Sequence, residues 1–148
     1  MNVNVQRIGP GEPEQVLIQC HKVTGEVAGI IRYIKSAGVT LAGYLEERIT
    51  QIPLQDIFYV EAVDDRVFAS TSDQTYELKL KLYEFEDAYR RQRFFRCSKS
   101  MIVNLMKVDS VYPILNGRLS AKLHNREEVI ISRQYVPVLK EILSGGAV

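Results

Sequence analysis

The sequence predicts an α+β domain, mainly β and antiparallel, preceded by a small strand–helix–strand unit. Three observations carry this. From Ile52 onward the chain is built of short runs rich in aromatic and branched residues. Turn-formers separate those runs: Asp64-Asp65, Ser72-Asp73-Gln74 and Asn116-Gly117. Helical periodicity appears in only three places, one before Gly38, one over 82–91 and one near 136–143.

Taken in order, residues 15–22 read as a short strand after the breaker-rich Ile8-Gly-Pro-Gly-Glu-Pro13. Thr24 is a plausible N-cap for a helix that places Val27, Ile30, Ile31 and Ile34 on one face, with Gly38 ending it. A second strand runs over 40–45. These first fifty or so residues are too few to fold well alone. The helix face must pack on the rest of the chain or on its twin in a second molecule, and the expectation is a homodimer. Strands follow at 56–63, 66–71 and 75–81, then a helix at 82–91 with Leu82, Phe85, Ala88 and Tyr89 on one side. Its acidic first half and basic second half suit the helix dipole. Further strands are expected at 101–105, 108–115, 118–124 and 129–132, with Asn116-Gly117 the strongest hairpin signal because both residues tolerate positive φ. A last helix over 136–143 carries Pro137 early, where it is tolerated, and a frayed tail occupies 145–148. The division is thus 1–50, 51–144 and the tail.

Composition excludes several classes. Of 148 residues, 46% are hydrophobic and 25% charged, and mean hydropathy is -0.10, the balance of an ordinary globular protein. No apolar run approaches the roughly 20 residues of a membrane helix. The start, Met1-Asn-Val-Asn-Val5, has neither a basic leader nor an apolar region, so no signal peptide is expected. Cys20 and Cys97 are too few and too far apart for a metal cage or a disulfide framework, and reduced thiols in a cytoplasmic protein are the expectation. Signatures of nucleotide binding, of nucleophilic hydrolysis and of metalloproteases are all missing, and His21 and His124 lack neighbours at ligand spacing. Neither an enzyme nor a cofactor is expected.

Charge is distributed unevenly. Residues 54–89 hold three basic and nine acidic side chains, whereas residues 90–140 hold eleven basic and three acidic ones. A basic stretch of this kind suits a polyanion, or else a solvated face balanced in space by the acidic stretch. Within it, Phe94-Phe-Arg-Cys-Ser-Lys-Ser-Met-Ile-Val-Asn-Leu105 reads as an aromatic anchor and an apolar strand holding a loop that projects Arg96, Ser98 and Lys99. Ser132-Arg133-Gln134 offers a second cation, amide and hydroxyl group, and Arg66, after Asp64-Asp65, a third cation. Such groups neutralise phosphates and donate to base edges. Cys97 lies between Arg96 and Lys99. It is either a thiol exposed in that loop or a small buried hydrophobe.

Several features occur together and in order: Asp56-Ile-Phe-Tyr-Val-Glu61, Leu82-Tyr-Glu-Phe-Glu-Asp-Ala-Tyr89, Phe94-x-Arg96-x3-Ser100-x2-Val103-Asn104, Val108-Asp-Ser-Val111, the Asn116-Gly117 hairpin and Ser132-Arg-Gln-Tyr135. On these the stretch from about Ile52 to Leu143 resembles the LytTR family of DNA-binding domains. The resemblance implies an antiparallel β fold whose loops, rather than a helix, enter successive major grooves. It also implies that Arg66, the Ser98-Lys99 loop and Arg133 contact bases or phosphates. Family members usually follow a doubly wound receiver domain, for which residues 1–50 have no room, so control by aspartyl phosphorylation is not expected. The whole chain is similar to short, stand-alone LytTR transcription regulators. A basic-faced protein-interaction module that binds no specific DNA is the alternative.

Overall fold

The computed structural model describes residues 1–145. Helix α1 (Gly25–Ser36) leads into a hairpin of β1 (Thr40–Leu45) and β2 (Arg48–Pro53). After a 3-10 turn come β3 (Tyr59–Val63), β4 (Arg66–Ser70) and β5 (Thr75–Leu78), then α2 (Leu82–Tyr89) and a 3-10 turn at Arg90–Gln92. The chain continues through β6 (Phe94–Ser98), β7 (Met101–Asn104), β8 (Val108–Pro113), β9 (Leu119–Leu123) and β10 (Glu128–Ile131) to α3 (Val136–Leu143). Seven strands form one antiparallel sheet in the order β2-β1-β5-β4-β3-β7-β6, and three form a second in the order β10-β9-β8.

Strand alternation divides the interior in two. Phe94 on β6 and Ile102 on β7 face α2, joining Val60, Val67, Ala69, Leu78, Leu82 and Phe85. Their neighbours Phe95, Cys97 and Val103 face the second sheet and α3, joining Leu119, Ala121, Val129, Ile131 and Leu139. The period of two lets the β6–β7 hairpin serve both cores. Each fully buried apolar side chain here contributes about 1.5–3 kcal/mol. Asn104, also buried, ties the layers: its Nδ2 donates to the Ile57 carbonyl at 2.8 Å and its Oδ1 accepts from Met106 N at 2.9 Å.

Helix α1 begins as expected, with Thr24 Oγ1 accepting from Val27 N at 3.3 Å, and Gly38 follows it at φ +83°. The structure departs from two expectations for this region. Residues 15–22 form no strand: Val16 and Leu17 are 68% and 74% exposed, with no neighbouring strand to receive their backbone groups. Second, β1 does not stay in a unit of its own. It pairs with β2 and β5 and so extends the main sheet, and the division expected at 50/51 falls inside β2, which sequence reading left unassigned. Helix α1 sits on the Arg90–Gln92 turn of its own chain, which buries Val27 and Ala28, while Ile30, Ile31 and Ile34 of the expected face are half-buried. At the other terminus the expected tail from 146 on lies outside the described residues, and Gly145 N donates to Ile142 O at 3.1 Å.

Candidate nucleic-acid interface

Backbone pairing brings separate turns to one end of the molecule. Because β3 runs antiparallel to β7, with Glu61 opposite Met101, the exit of β3 lies beside the entry of β7. Ala62 N donates to Ser100 O at 2.8 Å, which sets the Asp64-Asp65 turn next to the Lys99-Ser100 turn. On the other side of β6, Ser132 N donates to Cys97 O at 2.8 Å and docks the Arg133–Tyr135 turn there. The β8–β9 hairpin closes the group, since Leu119 pairs with Ile131 and Gly117 lies under the Arg133 stem.

Each turn has a local cause. Asp64 and Asp65 both take positive φ, 49° and 62°, as a two-residue hairpin requires. Asn116 and Gly117 also take positive φ, 66° and 73°, within the three-residue loop Leu115–Gly117, across which Ile114 N donates to Arg118 O at 3.0 Å. A Cβ on Gly117 would lie 2.9 Å from Arg133 Cδ, so the glycine leaves the place where the arginine stem rests. A register shift in β6 leaves Cys97 without a partner on β7, and the bulge re-aims Ser98 at the strand end.

The site residues expected from sequence are placed as follows. Lys99, Arg133, Gln134 and Arg66 are exposed at this end, and Ser98 is half-buried with its Oγ accepting from Ser100 N at 3.3 Å. Arg96 is not projected. It sits in β6 on the α2 side, where Nη1 meets Glu86 at 3.0 Å and Nε donates to Ser98 O at 2.7 Å, while Nη2 donates to Lys99 O. Arg96 therefore braces the Lys99 turn from behind, because strand alternation gives it the same face as Phe94. Cys97 is fully buried, its Sγ donating to Met101 O at 3.4 Å, and burial pushes the thiol up to about 12. It is the buried hydrophobe of the two alternatives, and an unreactive one.

From sequence, Asn116-Gly117 is a hairpin with no site role, yet that hairpin adds Leu115, 79% exposed, and half-buried Arg118 to the same end. Arg118 Nε donates to Leu115 O at 3.1 Å. The signal was present in the order of the strands, since β9 must start where β10 ends. The electrostatics are uneven across the end. Arg66 shares its hairpin with two carboxylates, whereas Lys99, Arg118 and Arg133 have no acidic partner within 4.0 Å among the described residues. Unpaired cations on tight turns neutralise phosphates and reach into a groove without rearrangement of the framework. Carboxylates such as Asp64 and Asp65 accept from cytosine amino groups and repel phosphate.

Comparison with known proteins agrees with this geometry. The family model of the LytTr DNA-binding domain matches residues 47–144. An uncharacterized HTH-type transcriptional regulator of Staphylococcus aureus strain NCTC 8325 is 33% identical over 140 residues, covering 93% of this chain and 95% of its own. Another so named, from strain MRSA252, is 32% identical over the same span. Among solved structures, the LytTr DNA-binding domain of a Bacillus cereus protein superposes with a TM-score of 0.67 at 25% identity, over 70% of this chain and 95% of that one. Among the described residues the three α-helices are separated by strands, so the helix-turn-helix in the relatives' name has no counterpart here. With its antiparallel sheets, its clustered turns and a match over two-thirds of its length, the chain belongs to the LytTr DNA-binding family.

Proposed function

We propose that this protein is a cytoplasmic bacterial transcription regulator that reads duplex DNA through the turns at the Lys99 end. The observation that carries the reading is the convergence of Lys99, Arg133, Arg118 and Arg66 on one end, held by the Ala62–Ser100 and Ser132–Cys97 backbone bonds. Lys99, Ser98, Arg133 and Gln134 supply base and phosphate contacts, Arg66 an outer phosphate contact, and Arg96 positions Lys99. A major groove of about 12 Å admits a two-stranded β-ribbon, which is what these hairpins present. One such end covers one half-site, so two copies acting as a homodimer on repeated half-sites is the arrangement we propose for an operator. Light scattering of the full chain bound to a two-site duplex checks it, with two protomers per duplex expected.

The test of the main reading is selection of bound sequences from a random duplex pool, followed by titration of the winner at several salt concentrations. A shared motif is expected, with log K falling against log salt by roughly 0.9 per neutralised phosphate. A pool that yields no motif, with weak binding to every duplex, returns the alternative of a basic face for an acidic protein.

A further inference from the structure

At the opposite end of β6 from Lys99, α1, the Arg90–Gln92 turn, the start of β6 and α3 enclose a cleft of about 650 Å³. This is within the range of small-molecule sites. Its lining has two parts. Phe94, Phe95, Leu105 and Ile142 give an apolar floor, and Arg32, Lys35, Arg90, Arg91 and Arg93 give a cationic wall. Arg90 is paired with Asp87 at 2.8 Å, but none of the other four has a carboxylate within 4.0 Å among the described residues. Burial lowers the Arg93 pKa, and the like charge of nearby Arg32 lowers it further. The Nε atoms of both, and Oε1 of Gln92 in the same lining, are buried without a hydrogen-bond partner.

A fold gains nothing by holding two guanidinium groups together, half-desolvated and unanswered; the arrangement costs free energy until an anion enters. Two guanidinium forks in one lining suit a carboxylate or phosphate, and an orphaned amide oxygen asks for a donor. We infer that the cleft between α1 and the Arg90–Gln92 turn binds a small organic anion, its carboxylate or phosphate between Arg32 and Arg93 and its apolar body on Phe94, Phe95 and Ile142. The Gln92 oxygen accepts from a hydroxyl or amino group on the same ligand. The inference is independent of the DNA reading, since none of these residues belongs to the Lys99 end. The cleft also depends on α1, which lies outside the matched residues 47–144.

Thermal shift and isothermal titration of the full chain test it, with phenyl phosphate, benzoate, 4-hydroxybenzoate, inorganic phosphate and neutral benzyl alcohol as probes. Phenyl phosphate or benzoate should raise the melting temperature and bind more tightly than inorganic phosphate. Which of the two binds better assigns the head group. The 4-hydroxy compound should bind more tightly than benzoate, and benzyl alcohol should have no effect. Arg32→Gln and Arg93→Gln should each weaken binding roughly tenfold or more. The free variants should melt at or above the wild-type temperature because the repulsion is relieved, a result that a structural arginine would not give. Should Arg93→Gln fail to fold, Arg32→Gln in mid-helix still decides. No response to any aromatic anion overturns the inference. So does a response that survives in Arg32→Gln. Unaltered anion response together with a shallower salt slope for DNA binding in Arg32→Gln would reassign the cluster to the DNA backbone, overturning it equally.

Discussion

At the Lys99 end of the β6–β7 hairpin, cations stand singly on tight turns at intervals across several elements, with Lys99, Arg66 and Arg133 exposed and Arg118 half-buried. At the Phe94 end, cations crowd one cleft, two of them half-buried and near enough to repel. Both sets come largely from the same basic stretch, yet they suit different anions. Spaced, exposed charges match phosphates repeated along a duplex and lose strength with salt. Clustered, partly desolvated charges match one compact anion and are screened less. The difference teaches that a net charge along the sequence says little until the strands have sorted it to one end or the other. Arg96 shows the sorting residue by residue: two positions from Ser98, it spends its donors on Glu86 and on backbone carbonyls.

The two ends share a framework, and breaking that framework should have the largest effect. Phe95 is 9% exposed, sits in the core between β6 and the second sheet, and meets Tyr135 edge-on with ring centroids 6.4 Å apart. Phe95→Ala should cost about 3–5 kcal/mol of stability, read by urea or thermal unfolding. A melt like wild type would show that the core is not where the fold places it.

Next come the substitutions that separate the ends. Lys99→Ala and Arg133→Ala should each weaken binding to a selected duplex by about 1–3 kcal/mol in gel-shift titration, with stability within about 0.5 kcal/mol of wild type. Normal affinity in both would remove the turns from the interface. Gly117→Ala sharpens the same point without touching a charge. It forces a Cβ toward the Arg133 stem at a φ of +73°, and the left-handed backbone alone costs about 1–2 kcal/mol. DNA affinity should fall by less than in Arg133→Ala, and the loss should vanish when Arg133 is already alanine.

Much of this was legible in the sequence, and the failures have physical causes. The α1 cap at Thr24, the hairpins at Asp64-Asp65 and Asn116-Gly117 and the helix at 136–143 rest on local chemistry, and local chemistry determines them. What failed depends on distant partners. The run at 15–22 has strand composition but no edge to join, while β2, with the mixed sequence Arg-Ile-Thr-Gln-Ile-Pro, is a strand because β1 offers it one. Lys99, Arg133 and Arg66 were found as exposed cations after strands, the local half of the site. That Arg118 joins them and Arg96 does not follows from strand order and face, which no window of sequence displays.

Two smaller effects complete the comparison. Arg66→Ala should weaken DNA binding by less than about 1 kcal/mol, because Asp64 and Asp65 already oppose phosphate at that turn. A loss equal to that of Lys99→Ala would make the first turn a principal contact. For the cysteines, iodoacetamide at pH 8 should label exposed Cys20 and leave Cys97 untouched until the chain is denatured, since burial holds its thiol near 12 and keeps it protonated. Mass spectrometry reads both sites, and native labelling of Cys97 would mean that the β6 bulge opens.

The central claim is that turns, not a helix, read base identity at the Lys99 end. Selection from one random duplex pool, run side by side with wild type, Lys99→Ala and Arg133→Ala, tests it most directly. The account predicts a motif from wild type and the same motif from each variant with preference relaxed at a distinct position, one for each side chain. Identical motifs at unchanged affinity from all three proteins would contradict it.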